Sequence, residues 1–478
     1  MRRHILLVAG AVLLSAVLWH FGTGLRPLPG LAFLAPLPVL LLAPRVSAWT
    51  AFLAGLLSWF GGEVQLWSYF TDTVEQPIPF TVAVLGGSAL VFGALVVVMR
   101  GLLHRGHPGW AALALPTGWV TLEFLLSLAG STGAWWSLAY TQAGVLPLVQ
   151  SVSLTGVWGI TFLILLVPSA VTAVVNATGP QRIRIAATSS AALLAVAAFG
   201  AWRLMVPAEG DSVRVGLLAI SQPPDYVPVD STDGRDMVAR AITEINSLAD
   251  RGAQAVVLPE KAWSADDSTL HLLSDPLSEV AARRNIHVVA GLVLTRDGSS
   301  INAAIDYPSR IVYAKHYLVP GLEDDLTPGT GWAMVPGRPW SLAVCFDLDR
   351  PALVRQNRHL GATLLLVPAL DFTDDYWLHS RMAVLRGIES GMAIARAPQL
   401  GELVASDSRG HISASVRTDI TVTRSVLADL PLPTDRTLYA RFGDWFAWLS
   451  VALFAAALLR LWSVRTGGTS GPRPSAAP

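Results

Sequence analysis

The chain has 478 residues, of which 52% are hydrophobic and 14% charged. With a mean hydropathy of +0.49, it is excluded from the ordinary soluble domains and fits several membrane spans. Basic and acidic residues balance at 34 each, so no electrostatic footprint for nucleic acid is present, and a single cysteine, Cys345, rules out an intrachain disulfide framework.

Apolar stretches able to cross about 30 Å of hydrocarbon lie near 4–20, 30–44, 48–67, 79–99, 109–129, 146–175 and 184–204, and again at 443–462. Arg2, Arg3, Arg45, Arg100, Arg105, Arg182, Arg184 and Arg465 fall on one side of these spans, and Arg26 is the clear exception on the other. By the positive-inside rule the arginine-rich side is cytoplasmic. The expected organisation is an N-terminal membrane domain over 1–207 with about seven transmembrane helices, an extracytoplasmic domain over 213–435, a transmembrane helix at 443–462 and a disordered cytoplasmic tail at 463–478. Met1-Arg-Arg-His before an apolar run also fits a cleaved signal peptide. No small-residue cleavage site follows, however, and removal would spoil the parity of the topology.

The outer domain alternates strands and helices. Strands are predicted at 213–220, 255–259, 287–294, 301–307, 310–316, 340–345, 363–369 and 393–396, with more β structure through 411–430. Helices are predicted at 234–250, 271–285, 350–360 and 375–391 from apolar residues at helical spacing. Many of the strands are apolar throughout, which predicts sheets packed together on one face and covered by helices on the other, an α-β-β-α sandwich. The Gly- and Pro-rich stretch between Lys315 and Trp340 reads as a long functional loop.

Three chemically distinct residues stand at the ends of predicted strands. Glu260 ends AVVLPE, Lys315 follows RIVYA, and Cys345 follows WSLAV where the chain turns into FDLDRPALVRQ. A thiol near a helix N-terminus is expected to have a lowered pKa. Only two of the 34 basic residues are lysines, Lys261 and Lys315, which suggests that position 315 needs an amine. Each residue also has a bland explanation: packing for a lone cysteine, an ion pair or cap for Glu260, a solvated edge for Lys315. All three explanations together are less plausible than each alone. The ten histidines show no ligand spacing, so neither a metal nor a cofactor is expected.

The order Glu260, Lys315, Cys345 resembles the Glu-Lys-Cys triad of the nitrilase superfamily, and the membrane segments point to its membrane-embedded branch, the apolipoprotein N-acyltransferases. PTGWVTLEFLLS and GAWWSLAYTQAGVLPLVQSVSLTGVWGITFLILLV resemble that family's stretch before its last N-terminal span. In the outer domain, YAKHYLVPGLED, HSRMAVLRGIESG and TLYARFGDWFAWL are similar to its lysine segment, its post-catalytic helix and its approach to the final span.

The resemblance implies a nitrilase-like fold, a bacterial cell membrane location and two-step acyl transfer. Cys345 would take an acyl chain from a membrane phospholipid as a thioester, and the α-amine of a diacylglyceryl-modified lipoprotein would accept it. Glu260 would be the base and Lys315 the oxyanion donor. It also assigns Glu323 a supporting role, although in the EDD run that residue reads as a solvated acid. Asp347 stands where the family usually has glutamate, and 368–371 (PALD) where it tends to carry Asn-Asp and then Trp. RAPQLGEL likewise replaces an Asn-Thr-Gly-like turn. These departures are expected to bear on the lipid-facing pocket and the acceptor side. They leave two alternatives: a membrane-tethered amidase or hydrolase with a polar site mouth, or a non-catalytic partner of a polyprenol-phosphate mannosyltransferase.

Overall fold

A computed structural model describes residues 2–129, 132–206, 210–223 and 226–463. The segment 463–478 expected as a tail lies, beyond its first residue, outside the described residues. Hydrocarbon offers no partner to backbone N–H and C=O groups, so apolar segments satisfy them internally as helices. Six helices among the described residues are long and apolar enough to cross a membrane. They begin at the N-terminal helix Arg2–Gly22 and continue with Ile78–His104, Pro108–Ala129, Val157–Asn176, Gly179–Met205 and Trp445–Ser463. Helix Ala48–Glu63 adds a further apolar segment of 16 residues.

Two stretches read as single spans are broken. Residues 30–44 divide into Leu31–Leu34, Leu37–Leu42 and a tight turn at Ala43–Arg45, with Pro36, Pro38 and Pro44 withholding backbone donors. Residues 146–175 divide at Gly156 into two short helices, Leu146–Val149 and Val152–Thr155, and the long Val157–Asn176. Gly156 has φ +68°, and a Cβ there would meet the Tyr439 ring at 2.7 Å, so glycine is required on both counts. Helix Pro108–Ala129 packs against Val157–Asn176, Ile78–His104 and Trp445–Ser463. Trp19, Trp59, Phe92 and Trp119 fill the middle of the bundle.

The remaining chain forms two sheets packed face to face. In the eight-stranded sheet, Ser212–Ala219 pairs antiparallel with Arg424–Pro431 and parallel with Ala255–Val257, which in turn pairs with His287–Arg296. Ser299–Tyr307 and Ile311–Ala314 continue it as an antiparallel meander. The five-stranded sheet runs Ile412–Thr418, Gly401–Ser406, Ala393–Pro398, Leu364–Ala369 and Trp340–Leu342. Side chains alternate between faces along a strand, so Val215, Leu217 and Ala219 join Leu364, Leu366, Ala393 and Ala395 between the sheets. Leu218 and Ile220 point outward, under helices Thr232–Asp250 and His271–Arg284. Val354, Leu365, Val367 and Ala383 fill the outer layer of the second sheet, under Pro351–His359 and Tyr376–Ser390. This is the α-β-β-α sandwich expected from the apolar strands. The short strands Val227–Pro228 and Trp263–Asp266 fall outside the expected list, because neither is long or apolar enough to stand out.

The two halves meet along one seam. The Tyr69 hydroxyl donates to Asp375 at 2.5 Å, Thr73 to Asp374 at 3.0 Å, and the Arg386 guanidinium to the Tyr140 hydroxyl at 2.8 Å. The Val157 N–H donates to Glu389 at 2.7 Å, and Arg26 lies over the Tyr376 ring at 4.6 Å.

Candidate active site

Glu260, Lys315 and Cys345 each leave a strand at the same end of the sandwich. Glu260 follows Ala255–Val257, and its N–H donates to the Ala369 carbonyl at 3.2 Å, tying the two sheets where the second one ends. Gly291 makes room for this turn, since a Cβ there would lie 2.3 Å from the Pro259 carbonyl oxygen. Lys315 follows Ile311–Ala314 and is anchored by its own N–H to the Asn302 carbonyl at 2.8 Å.

The structure brings Lys315, Glu260 and Glu323 into one buried cluster. Lys315 Nζ donates to Glu260 Oε1 at 2.8 Å and to Glu323 Oε2 at 2.7 Å, and all three side chains are about 1% exposed. Asn302 Nδ2 bridges the same acids, donating to Glu260 Oε1 at 2.6 Å and Glu323 Oε1 at 2.7 Å. Lys261 reaches Glu323 from the outside at 3.2 Å, and the Val319 N–H donates to Glu323 at 2.9 Å. Burial opposes the Lys315 ammonium, but Glu260 and Glu323 outweigh it and raise its pKa. Burial also opposes the Glu323 carboxylate, and Lys315 and Lys261 overcome it, holding Glu323 down at about 2. Glu323 is therefore no solvated acid of the EDD run. Glu260 Oε2 is buried without a hydrogen-bond partner.

Cys345 opens a tight turn, Cys345–Asp349, and the α-helix begins only at Pro351. Its φ of +41° places a non-glycine residue in the left-handed region, a strain of order 1–3 kcal/mol that occurs mostly at functional sites. The thiol contacts the Leu370 carbonyl at 3.4 Å. The lowered pKa expected from a helix N-terminus is not found: burial pushes the thiol well up, Glu260 adds to this, and Lys315 and Arg396 only partly counter it.

Asp347 lies beneath this turn rather than in a pocket wall. Its Oδ1 accepts from the N–H groups of His316 and Tyr317 at 3.1 and 3.0 Å, and its Oδ2 from the Val344 N–H and the Tyr313 hydroxyl at 3.0 and 2.8 Å. It thus ties the chain just after Lys315 to the chain just before Cys345.

On the other side of Cys345 lies a cavity of about 220 Å³, walled partly by the sandwich and partly by the apolar half. Phe346, Leu370, His379 and Arg396 contribute from one side, and Tyr69, Phe70, Trp135 and Trp136 from the other. Trp135 and Trp136 also line a cavity of about 460 Å³ between the membrane helices. Arg396 is paired with both oxygens of Asp371, and His379 Nδ1 lies 3.2 Å from Asp375. Burial opposes the His379 imidazolium, but Asp375, Asp371 and Asp349 raise its pKa to about 9. Sequence reasoning passed over Asn302, His379 and Arg396. The signal for Arg396 was visible: a charge inside the apolar strand AIARAP has to be paired when buried.

Comparison with known proteins places this arrangement. Residues 11–170 match the family described as Apolipoprotein N-acyltransferase N-terminal domain. An apolipoprotein N-acyltransferase of Geobacter metallireducens is 27% identical over 503 residues, covering 94% of each chain. Over most of its length the chain is thus similar to proteins named apolipoprotein N-acyltransferase. A second relative of that name, from Gloeobacter violaceus, is 27% identical over 383 residues, covering 71% of this chain and 70% of the relative. Among solved structures, a mutant of the Nesterenkonia AN1 amidase from the nitrilase superfamily is 20% identical, with a TM-score of 0.41, over 54% of this chain and 99% of that one. Saccharomyces cerevisiae Nit3, a member of branch 10 of the nitrilase superfamily, is 17% identical with a TM-score of 0.39, over 47% of this chain and 91% of its own. The likeness to these relatives runs through both the apolar helices and the sandwich.

Proposed function

We propose that this chain transfers an acyl group from a membrane phospholipid, through a thioester on Cys345, to the α-amine of the diacylglyceryl-cysteine of a lipoprotein. The observation that carries this reading is the shared cavity: Cys345 opens towards aromatic side chains of the membrane half, while Glu260 and Lys315 of the buried cluster act electrostatically on its thiol. In the first step Glu260 Oε2 takes the thiol proton as sulfur attacks the ester carbonyl. The Lys315 ammonium stabilises the oxyanion, where preorganised charge in a water-poor site is most effective. Collapse breaks the ester bond, and the departing lysophospholipid oxygen receives the proton from Glu260. In the second step the neutral α-amine attacks the thioester carbonyl, Glu260 takes the amine proton, and the amide forms as the Cys345 thiolate leaves and is reprotonated. Because burial keeps Cys345 a thiol at rest, the mechanism needs a base rather than a standing thiolate. Glu323, Asn302 and Asp347 hold the three reacting groups in place.

The domain divisions and orientation expected from the sequence belong to the same proposal: a cell-membrane protein with the sandwich on the extracytoplasmic side and the tail in the cytoplasm. Arg26 supports it by contacting the outer domain at Tyr376, and Arg100 by donating to the carbonyls of Ala43 and Val46 at the opposite ends of the helices. The apolar cavity wall favours transfer over hydrolysis, which calls for a wet site mouth, and the complete Glu260–Lys315–Cys345 set argues against a scaffold. The test is to give the purified protein phospholipid and a diacylglyceryl-cysteine peptide. Amide-linked acyl peptide and lysophospholipid in equal amounts are expected, and free fatty acid without acyl peptide would establish the hydrolase.

A further inference from the structure

One more ionisable group in the wall of the Cys345 cavity has a carboxylate oxygen to which no neighbour donates a hydrogen bond. Asp349 ends the turn that Cys345 begins, is 2% exposed and lines the same cavity. Its position is fixed by the seam. The Ala134 N–H donates to the Asp349 carbonyl at 2.8 Å, and a Cβ on Gly133 would lie 2.3 Å from that oxygen. The other buried charges nearby are matched: Asp371 with Arg396, Asp375 with His379 and the Tyr69 hydroxyl, and Glu389 with Arg386 at 2.8 Å. Arg350, next in the chain, lies over the Tyr317 ring and donates to the Ser127 carbonyl. Asp349 Oδ2 is buried with no hydrogen-bond partner. Burial raises the Asp349 pKa to about 6, with His379, Arg386, Arg396 and Arg350 pulling the other way, yet no neighbour donates a hydrogen bond to Oδ2. A buried carboxylate oxygen without a donor is costly until one arrives.

We propose that Asp349 forms a primary-ammonium subsite in the wall of the Cys345 cavity. This rests on the acyl-transfer reading above and deepens it: both substrates of that reaction can carry a primary ammonium, the acceptor as its α-amine and the donor as an aminophospholipid headgroup. Tyr69, Trp135 and Trp136 line the same cavity and present ring faces that suit a cation entering beside an alkyl chain. The subsite docks and orients the ammonium; an acceptor bound there leaves one proton on Asp349 before it attacks as the neutral amine, and the proton transfers through Glu260 are unchanged. An anionic or neutral headgroup has no partner at Asp349.

The experiment uses the full chain in lipid nanodiscs with phosphatidylethanolamine or phosphatidylglycerol as donor and a diacylglyceryl-cysteine peptide as acceptor, comparing wild type, Asp349→Asn and Asp349→Glu. If the α-amine is the ligand, Asp349→Asn raises the half-saturating peptide concentration by about tenfold or more, the scale of one lost charge-assisted hydrogen bond, with less effect on the maximal rate. If the donor headgroup is the ligand, Asp349→Asn instead loses the preference for phosphatidylethanolamine over phosphatidylglycerol. Retention of either property in Asp349→Glu supports a charge requirement. Equal slowing with both donors and no change in peptide saturation overturns the subsite in favour of a structural role, and so does an unchanged Asp349→Asn. A wild-type measurement covers a variant that fails to fold: dodecylammonium is expected to protect Cys345 from alkylation at about tenfold lower concentration than dodecanol, and equal protection overturns the subsite. That readout needs no acyl transfer. Absence of any acyl adduct in wild type would therefore sink the proposed function, while the protection assay still decides the subsite.

Discussion

Asp347→Asn is the sharpest perturbation of the link between the lysine loop and the cysteine turn. Asparagine can keep one oxygen for the N–H groups of His316 and Tyr317, but it then turns an NH2 towards the Val344 N–H and the Tyr313 hydroxyl. The tyrosine hydroxyl can rotate to accept. The Val344 N–H cannot, and a buried donor left without a partner costs about 1–3 kcal/mol. Val344 immediately precedes Cys345, so the penalty falls on the placement of the thiol against Glu260 and Lys315. At 1.36 kcal/mol per decade, full expression of that penalty slows acylation of Cys345 by about fivefold to a hundredfold. Single-turnover intact-mass measurement of the adduct reads this directly. A wild-type acylation rate in Asp347→Asn, with only the transfer to peptide altered, would refute the reasoning and restore the view of Asp347 as an acceptor-side residue. Asp347→Glu is expected to slow the same step, because the extra methylene has to enter a fully buried site at a cost of about 1–3 kcal/mol.

Lys315→Arg is expected to fall by at least about a hundredfold in adduct formation, since the planar guanidinium cannot meet Glu260, Glu323 and one oxyanion in the space of an ammonium; near-normal acylation would remove the oxyanion role. His379 has a folded pKa near 9 against the ordinary imidazole value of about 6.5. Its contribution to stability is therefore fully present below about pH 6.5 and lost as pH rises through about 9. Protection factors over residues 372–382, corrected for intrinsic exchange at each pH, should fall across that window and be flat in His379→Gln; flat wild-type protection factors would contradict the pairing with Asp375. In a Cys345→Ala background, Thr232→Cys should react with a membrane-impermeant thiol reagent in intact cells, and labelling only after lysis would reverse the proposed orientation.

Much of the fold was legible because burial on both faces leaves a simple trace. VRVGLLAI from Val215 onward and TLLLVPA from Leu364 onward are apolar on both faces, and both lie in the two-sheet core. The amphipathic helices at 234–250 and 350–360 likewise fall at Thr232–Asp250 and Pro351–His359. The breaks at Gly156 and after Leu34 were not read from hydropathy, because a glycine or proline changes backbone geometry without changing apolarity. In the site, Glu260, Lys315 and Glu323 were visible as residue types, but what they share was not. Asn302 is one polar residue in the strand Ser299–Tyr307, and only tertiary packing shows that it bridges two carboxylates. The same limit explains Cys345: the residues after it spell a helix start, yet the chain first makes a tight turn and buries the thiol, so desolvation outweighs any dipole. Asp349 and Tyr69 gain meaning only where the membrane half closes the cavity.

The most direct measurement is the intact mass of the purified protein after incubation with a phospholipid of defined acyl chains, read beside Cys345→Ser and Glu260→Gln. The wild type is expected to gain one acyl chain, removable by hydroxylamine and mapped to the peptide containing Cys345, while neither variant gains it. A wild-type protein that stays unmodified, or an acyl chain on any other residue, would contradict thioester transfer at Cys345.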